Sequence, residues 1–328
     1  MVTWLRLALA IVLVGAGPAL AGGSAVAQPA PARVGVLLFS SADADNSRRA
    51  RDLREALRDL GYVEGRNISF EFRYADGRPD RLEARAAELV QSRVDVIVAV
   101  GFQATGAARA ATRTVPIVMA PAGDPVGQGL VESLSRPGGN ITGVTLMTTE
   151  VRAKRLALFR EMVPRLSRIA MLIAPYVHPS TLRDVESAAR SMGIQIELVE
   201  IGGREHLESL APRLRAAQVH GVYMTEAPVI DGHAPRIAAI ALQQRLPTVF
   251  AFRDAVEAGG LMSYGASFPA LQRRAAVYVQ KILSGASPAE MPIDQADRFE
   301  LIVNRKTARL LGVTVPPSIL LQAEHMID

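Results

Sequence analysis

Cysteine is missing from all 328 residues. That absence excludes disulfides, thiolate metal ligands, a cysteine nucleophile and a lipid anchor attached through sulfur. Histidine is scarce, five residues scattered along the chain, which argues against a buried zinc centre. Aromatic side chains make up 5%, giving little for stacking nucleobases. Charge of one sign is also in short supply: 37 Lys and Arg against 32 Asp and Glu leave +5, and one less once Arg6 departs with a leader. The basic residues are mixed with acids, as in SRRARDLREALRDL at 47–60. That is the pattern of a solvated helix face rather than of a nucleic-acid stripe. Catalytic signatures are wanting too. There is no GxSxG, no GxxxxGK[ST] and no HExxH. The loop SSADADNS after the first strand has no glycine-rich phosphate cradle, and no calcium-loop pattern follows Asp43 and Asp45. Nothing calls for a metal or a cofactor, and no nucleophile–base set declares an enzyme.

What is present begins with an export signal. Trp4 and Arg6 precede an apolar run from Leu7 to Leu20, and Ala25-Val26-Ala27 has the small-x-small spacing of a cleavage site. The run is 14 residues, short of the roughly 20 that a membrane span needs. Residues 1–27 therefore read as a cleaved signal peptide and 28–32 as a Pro/Ala tether. About 300 residues remain, enough for two ordinary domains.

The mature chain alternates short buried strands with amphipathic helices. VGVLLF (34–39), VDVIVAV (94–100) and VPIVMA (115–120) are continuous apolar runs, too short for core helices. The segment 66–74 alternates through Ile68, Phe70, Phe72 and Tyr74. Leu53, Leu57 and Leu60 recur at helical spacing up to Gly61. A second series follows, with helices expected at 150–163, 179–191, 205–215 and 232–244 and strands at 168–173, 194–199, 219–223 and 247–250. This order predicts an α/β fold of two similar three-layer (αβα) lobes with mostly parallel sheets. RPGGN at 136–140, GGLMSY at 259–264 and the stretch 292–298 are the expected hinge crossings. The expected lobes are 33–144 with 264–293, and 145–263 with 294–328.

Two such lobes leave a cleft, and ligands meet such sheets at the carboxyl ends of the strands. That rule selects Ser40, Ser41, Gln103, Thr105, Asp124, Tyr176, Thr225, Glu226, Asp254 and Tyr264 as candidates. Hydroxyls before a helix N-terminus suit a ligand carboxylate, an acid suits an ammonium, and Tyr176, Phe252 and Tyr264 can supply walls. Each has a plainer alternative. Ser40 and Ser41 also fit a turn, Asp124 fits a helix cap before Pro125 and Gly127, and Tyr264 fits hinge packing. Tyr176 also fits a surface loop.

Long segments also resemble one family. PIVMAPAGDPVGQGLVESLSRPGGNITGVT (116–145), LRDLGYVEGRNISFEFRYADG (57–77), GGLMSYGASFPALQRRAAVYVQKILSGASPAEMPID (259–294) and the tail from 299 look like ABC-transporter substrate-binding proteins of the tryptophan/tyrosine-binding kind. The resemblance implies a type I periplasmic-binding-protein fold and a monomeric periplasmic receptor that closes on a small-molecule solute, with an amino acid or related carboxylate as the expected class. Its expected partner is an ABC permease in the inner membrane, with no nucleic acid. It places pocket residues at Ser40, Ser41, Asp124, Tyr176, Thr225 and the Asp254 loop. The chain has Gly101-Phe102-Gln103 where relatives carry Gly-Thr-Pro, and Thr225-Glu226-Ala227-Pro228 where many carry Asp-Asn. Both changes fall in the expected pocket and bear on the ligand rather than the fold. A sensory module for a receptor kinase or chemoreceptor, and a periplasmic enzyme on a similar scaffold, are the alternative readings.

Overall fold

A computed structural model describes residues 30–40, 46–146, 149–177 and 179–328. The expected leader and the first two residues of the tether lie outside these residues, as do Ser41, Asp43, Asp45 and His178. The first series is β1 (Ala32–Leu38), α1 (Asn46–Asp59), β2 (Ile68–Tyr74), α2 (Pro79–Gln91), β3 (Val96–Val100), α3 (Phe102–Ala111), β4 (Ile117–Ala122) and β5 (Ile141–Thr145). Next come α4 (Thr149–Met162), β6 (Arg168–Ile173), α5 (Pro179–Ser191), β7 (Gln195–Glu200), α6 (Arg204–Glu208) and α7 (Leu210–Ala216). The series continues through β8 (Gly221–Met224), α8 (Pro228–Asp231), α9 (Ala234–Gln243), β9 (Thr248–Phe250), α10 (Arg253–Glu257) and β10 (Met262–Ala266). The chain ends with α11 (Phe268–Leu283), β11 (Asp294–Gln295), β12 (Phe299–Asn304), α12 (Arg305–Leu311), α13 (Pro317–Gln322) and β13 (His325–Ile327).

Two sheets result, in the orders β11-β5-β4-β3-β1-β2 and β13-β12-β10-β9-β8-β6-β7. Among the described residues the strand pairs are parallel except β10 with β12. The uniform apolar runs are explained by burial on both faces. In β1, Val34, Val36 and Leu38 pack under α1 and α11, whereas Leu37 joins the core on the opposite face. The alternating β2 is an edge strand. Its Phe70, Phe72 and Tyr74 rings line up 6.0 and 6.2 Å apart, with the Arg54 guanidinium 4.4 Å from the Phe72 centroid. Such a cation over ring faces lets a half-buried aromatic row meet solvent.

Sheet membership also locates the crossings. β5 belongs to the first sheet and β6 to the second; β10 through Ala266 stays in the second sheet. The helix after it, α11, packs on α1, β4 and β5 of the first, and Asp294–Gln295 pairs with β5 there. From Phe299 the tail belongs to the second sheet. Two backbone approaches hold this wiring. Gly143 sits at φ 128°, and a Cβ there would lie 2.4 Å from the Met119 carbonyl oxygen, beside the register shift of β4 against β5. A Cβ on Gly265 would lie 2.0 Å from the Ala251 oxygen, so only glycine lets β10 pass the end of β9.

Two helices expected whole are broken. The stretch 205–215 divides at Ser209 into α6 and α7, because Pro212 has no N–H to donate to the Glu208 carbonyl. The stretch 232–244 begins only at Ala234, with Pro235 in its first turn, and a separate turn, α8, precedes it. Among the described residues no helix is long and apolar enough to cross a membrane.

Candidate functional site

The sheets present their carboxyl ends to one another, and one apolar cluster runs through both lobes. It contains Leu37, Phe39, Ala99 and Met119 from the first lobe, and Leu172, Ala174, Met224 and Val229 from the second. Phe39 and Tyr176 meet edge to face across the lobes at 5.1 Å. Beside this contact lies a cleft of about 800 Å³, its mouth included.

The first-lobe wall is neutral. Gly101, at φ 88°, turns the chain from β3 into α3 and places Phe102 and Gln103 on the cleft. No side chain caps this helix N-terminus. The loop after β4 adds Gly123 and Gln128, and the Gln128 Oε1 atom is buried without a hydrogen-bond partner.

The second-lobe wall is charged. Glu226 follows β8, and its Oε1 accepts from Arg155 Nη2 at 2.5 Å while its Oε2 accepts from Arg152 Nε at 3.0 Å. Arg152 Nη1 also donates to Asp184 at 3.0 Å, and Arg155 Nε donates to the Tyr264 carbonyl at 2.6 Å. The Arg155 side chain is 1% exposed, so the pairing is buried rather than decorative. Burial alone would raise the Glu226 carboxyl, but the Arg155 and Arg152 charges outweigh it and hold the group at about 2. Both guanidiniums stay charged: burial opposes them, and the Glu226 carboxylate more than compensates. Beneath them Tyr223 is pushed up to about 12, chiefly by burial. The Tyr176 hydroxyl is buried and completes no hydrogen bond; burial, with Asp231 nearby, drives its phenol well above the ordinary range, against a smaller opposing effect of the Val229 backbone N–H.

The sequence-selected residues fall into three groups. Gln103, Tyr176 and Glu226 come together on the cleft. Thr105, Thr225, Ser40 and Asp124 are engaged locally. Thr105 Oγ1 donates to the Gly101 carbonyl at 2.8 Å, closing the first turn of α3, and Thr225 Oγ1 donates to Leu172 at 2.9 Å. Ser40 is buried and its carbonyl accepts from the Asp76 N–H. Asp124 is exposed and its Oδ1 accepts from the Gly127 N–H at 2.9 Å, the capping alternative. Asp254 lines a neighbouring cavity, and Tyr264 stacks on Phe299 at 6.3 Å in the second sheet. Ser41 lies outside the described residues. Arg152, Gln128 and Asp231 line the cleft without having been selected from sequence. For the arginines a signal existed. Arg155 stands three and four residues before Leu158 and Phe159, so it lies on the buried face of α4, where a charge requires a partner.

Residues 33–327 match the family described as ABC transporter substrate binding protein. A tyrosine-binding protein of Clostridioides difficile (strain R20291) is 26% identical over 261 residues, 79% of this chain and 75% of that protein. The crystal structure of a conserved domain protein from Vibrio cholerae O1 biovar eltor strain N16961 superposes with a TM-score of 0.83 at 26% identity, covering 90% of this chain and 99% of that one. An ABC domain from Streptococcus pneumonia in complex with L-Trp superposes with a TM-score of 0.81 at 24% identity, covering 90% and 100%. The chain belongs to the ABC transporter substrate-binding protein family: it is an extracytoplasmic receptor, not an enzyme, that binds a small polar solute and serves an ABC permease.

Proposed function

We propose that the solute is an amino acid or a closely related carboxylate carrying an apolar or aromatic group. The observation that carries this reading is the pair of buried, unpartnered polar atoms on opposite walls of the cleft, Gln128 Oε1 and Tyr176 OH. Buried polar atoms are almost always hydrogen-bonded, and here a ligand held between the lobes supplies the partners. Gln128 Oε1 can only accept, which suits an ammonium, and the Asp231 carboxylate on the cleft favours the same cation. Tyr176 OH can donate to a carboxylate, and the uncapped N–H groups of α3 favour the same anion. Phe102, Phe252 and the Tyr176 ring supply apolar walls. The tyrosine-binding relative and the L-Trp complex support the same class.

A thermal-shift screen of protein unfolded and refolded to strip carried-over ligand tests this. Saturable stabilisation by an amino acid is expected, amounting to about 2.7 kcal/mol at a hundredfold excess over Kd. Stabilisation by sugars or nucleosides alone overturns it.

A further inference from the structure

Behind the cleft lies a second cavity of about 750 Å³, its mouth included, and the two share Phe252 and Phe268 as lining residues. The rings meet edge to face at 5.8 Å. The second cavity is polar where the cleft is aromatic, with Arg253, Arg298, Asp254 and Glu300 around it. Phe252 follows β9 of the second lobe, and Phe268 opens α11, which packs on the first sheet. Contact between them therefore closes the gap between lobes as well as the gap between cavities. Phe252 is held firmly. Its backbone is extended at the N-cap of α10, and the preceding Ala251 carbonyl is pressed against Gly265.

We infer that the Phe252–Phe268 pair sets the maximum length of the solute, ending the binding site at an aromatic partition beyond which lies a polar cavity able to take a longer molecule. This rests on the amino-acid reading above. A free amino acid fits in front of the partition. A dipeptide carries a peptide group and a further charged terminus past the rings, into surroundings that suit polar atoms but that the rings block.

Isothermal titration of wild type and Phe252→Ala with L-tyrosine, L-tryptophan, L-tyrosylglycine and glycyl-L-tyrosine is the test. In wild type the free amino acids should bind far more tightly than either dipeptide. In the variant that preference should fall at least tenfold for one dipeptide. A preference within twofold of wild type overturns the proposal and leaves the rings as packing. A ligand-free crystal structure of Phe252→Ala, or of Phe252→Leu should alanine prevent folding, gives an independent answer. One continuous cavity supports the partition, whereas Phe268 or Tyr264 moving in to keep the cavities apart overturns it. If neither amino acids nor dipeptides bind either protein, the amino-acid reading falls, and the crystal structure alone decides the partition.

Discussion

The two walls of the cleft solve the same problem by opposite means. The first-lobe wall is neutral and leaves donors and acceptors open: the helix start at Phe102 and Gln103, and the Gln128 side-chain Oε1. The second-lobe wall is charged, and its charges are satisfied among themselves, with Glu226 fastened by Arg152 and Arg155 and Arg152 shared with Asp184; its one open atom in the cleft is the Tyr176 hydroxyl. Breaking a buried ion pair is expensive because a stranded charge remains. The ion-paired part of the second wall is thus a stiff platform, and hydrogen-bonding capacity is held for a ligand in the neutral wall and in the Tyr176 hydroxyl. Closure then follows from a ligand that bridges both walls, since only the closed form lets it use Gln128 and Tyr176 together.

Breaking the platform should have the largest effect. Glu226→Gln leaves Arg155 buried without its counter-charge, and a loss of about 3–5 kcal/mol in stability is expected by urea unfolding. A loss below ~1 kcal/mol would show the network to be loose and the contrast between walls false. The same variant sharpens the pH dependence. In the folded protein Glu226 sits at about 2, below its ordinary 4.5. A depressed value means that its contribution is complete above pH 4.5 and is lost as pH falls toward 2. Wild type should therefore lose stability more steeply across that window than Glu226→Gln, measured by urea midpoints at successive pH values.

The open atoms should behave differently. Tyr176→Phe and Gln128→Leu remove groups with no protein partner, so each should leave stability within about 0.5 kcal/mol while weakening ligand binding by about 0.5–1.5 kcal/mol. Titration calorimetry beside urea unfolding separates the two readouts, and a stability loss without an affinity loss would move those atoms into the scaffold. The smallest effect belongs to Asp124→Ala. Its carboxylate caps Gly127, so a stability loss of about 0.5–1 kcal/mol with affinity changed less than twofold is expected. An affinity loss above ~1 kcal/mol would restore Asp124 to the ligand.

Much of this architecture was legible in the order of residues. Strands buried on both faces must be apolar throughout, so VGVLLF and VDVIVAV declare central parallel strands. Helix breaks were harder to read, since Pro212 acts through one missing hydrogen bond inside an otherwise helical pattern. At the site, strand-end position brought forward Gln103, Tyr176 and Glu226, which line one cleft. It did not distinguish them from Thr105 and Thr225, whose hydroxyls turn back to their own backbone. A hydroxyl's choice between ligand and nearby carbonyl depends on a rotamer, which spacing does not encode.

The sequence by itself determined the order and type of the main strands and helices, the two-lobed parallel architecture and the family, because these follow from periodicity and from long contiguous motifs. Only the tertiary structure decided the cleft's chemistry. Arg152 and Arg155 meet Glu226 across 74 and 71 positions, and Phe252 meets Phe268 across the lobes. Local pattern carries no record of such encounters: their energies arise from burial and charge pairing that exist only once distant segments have packed together.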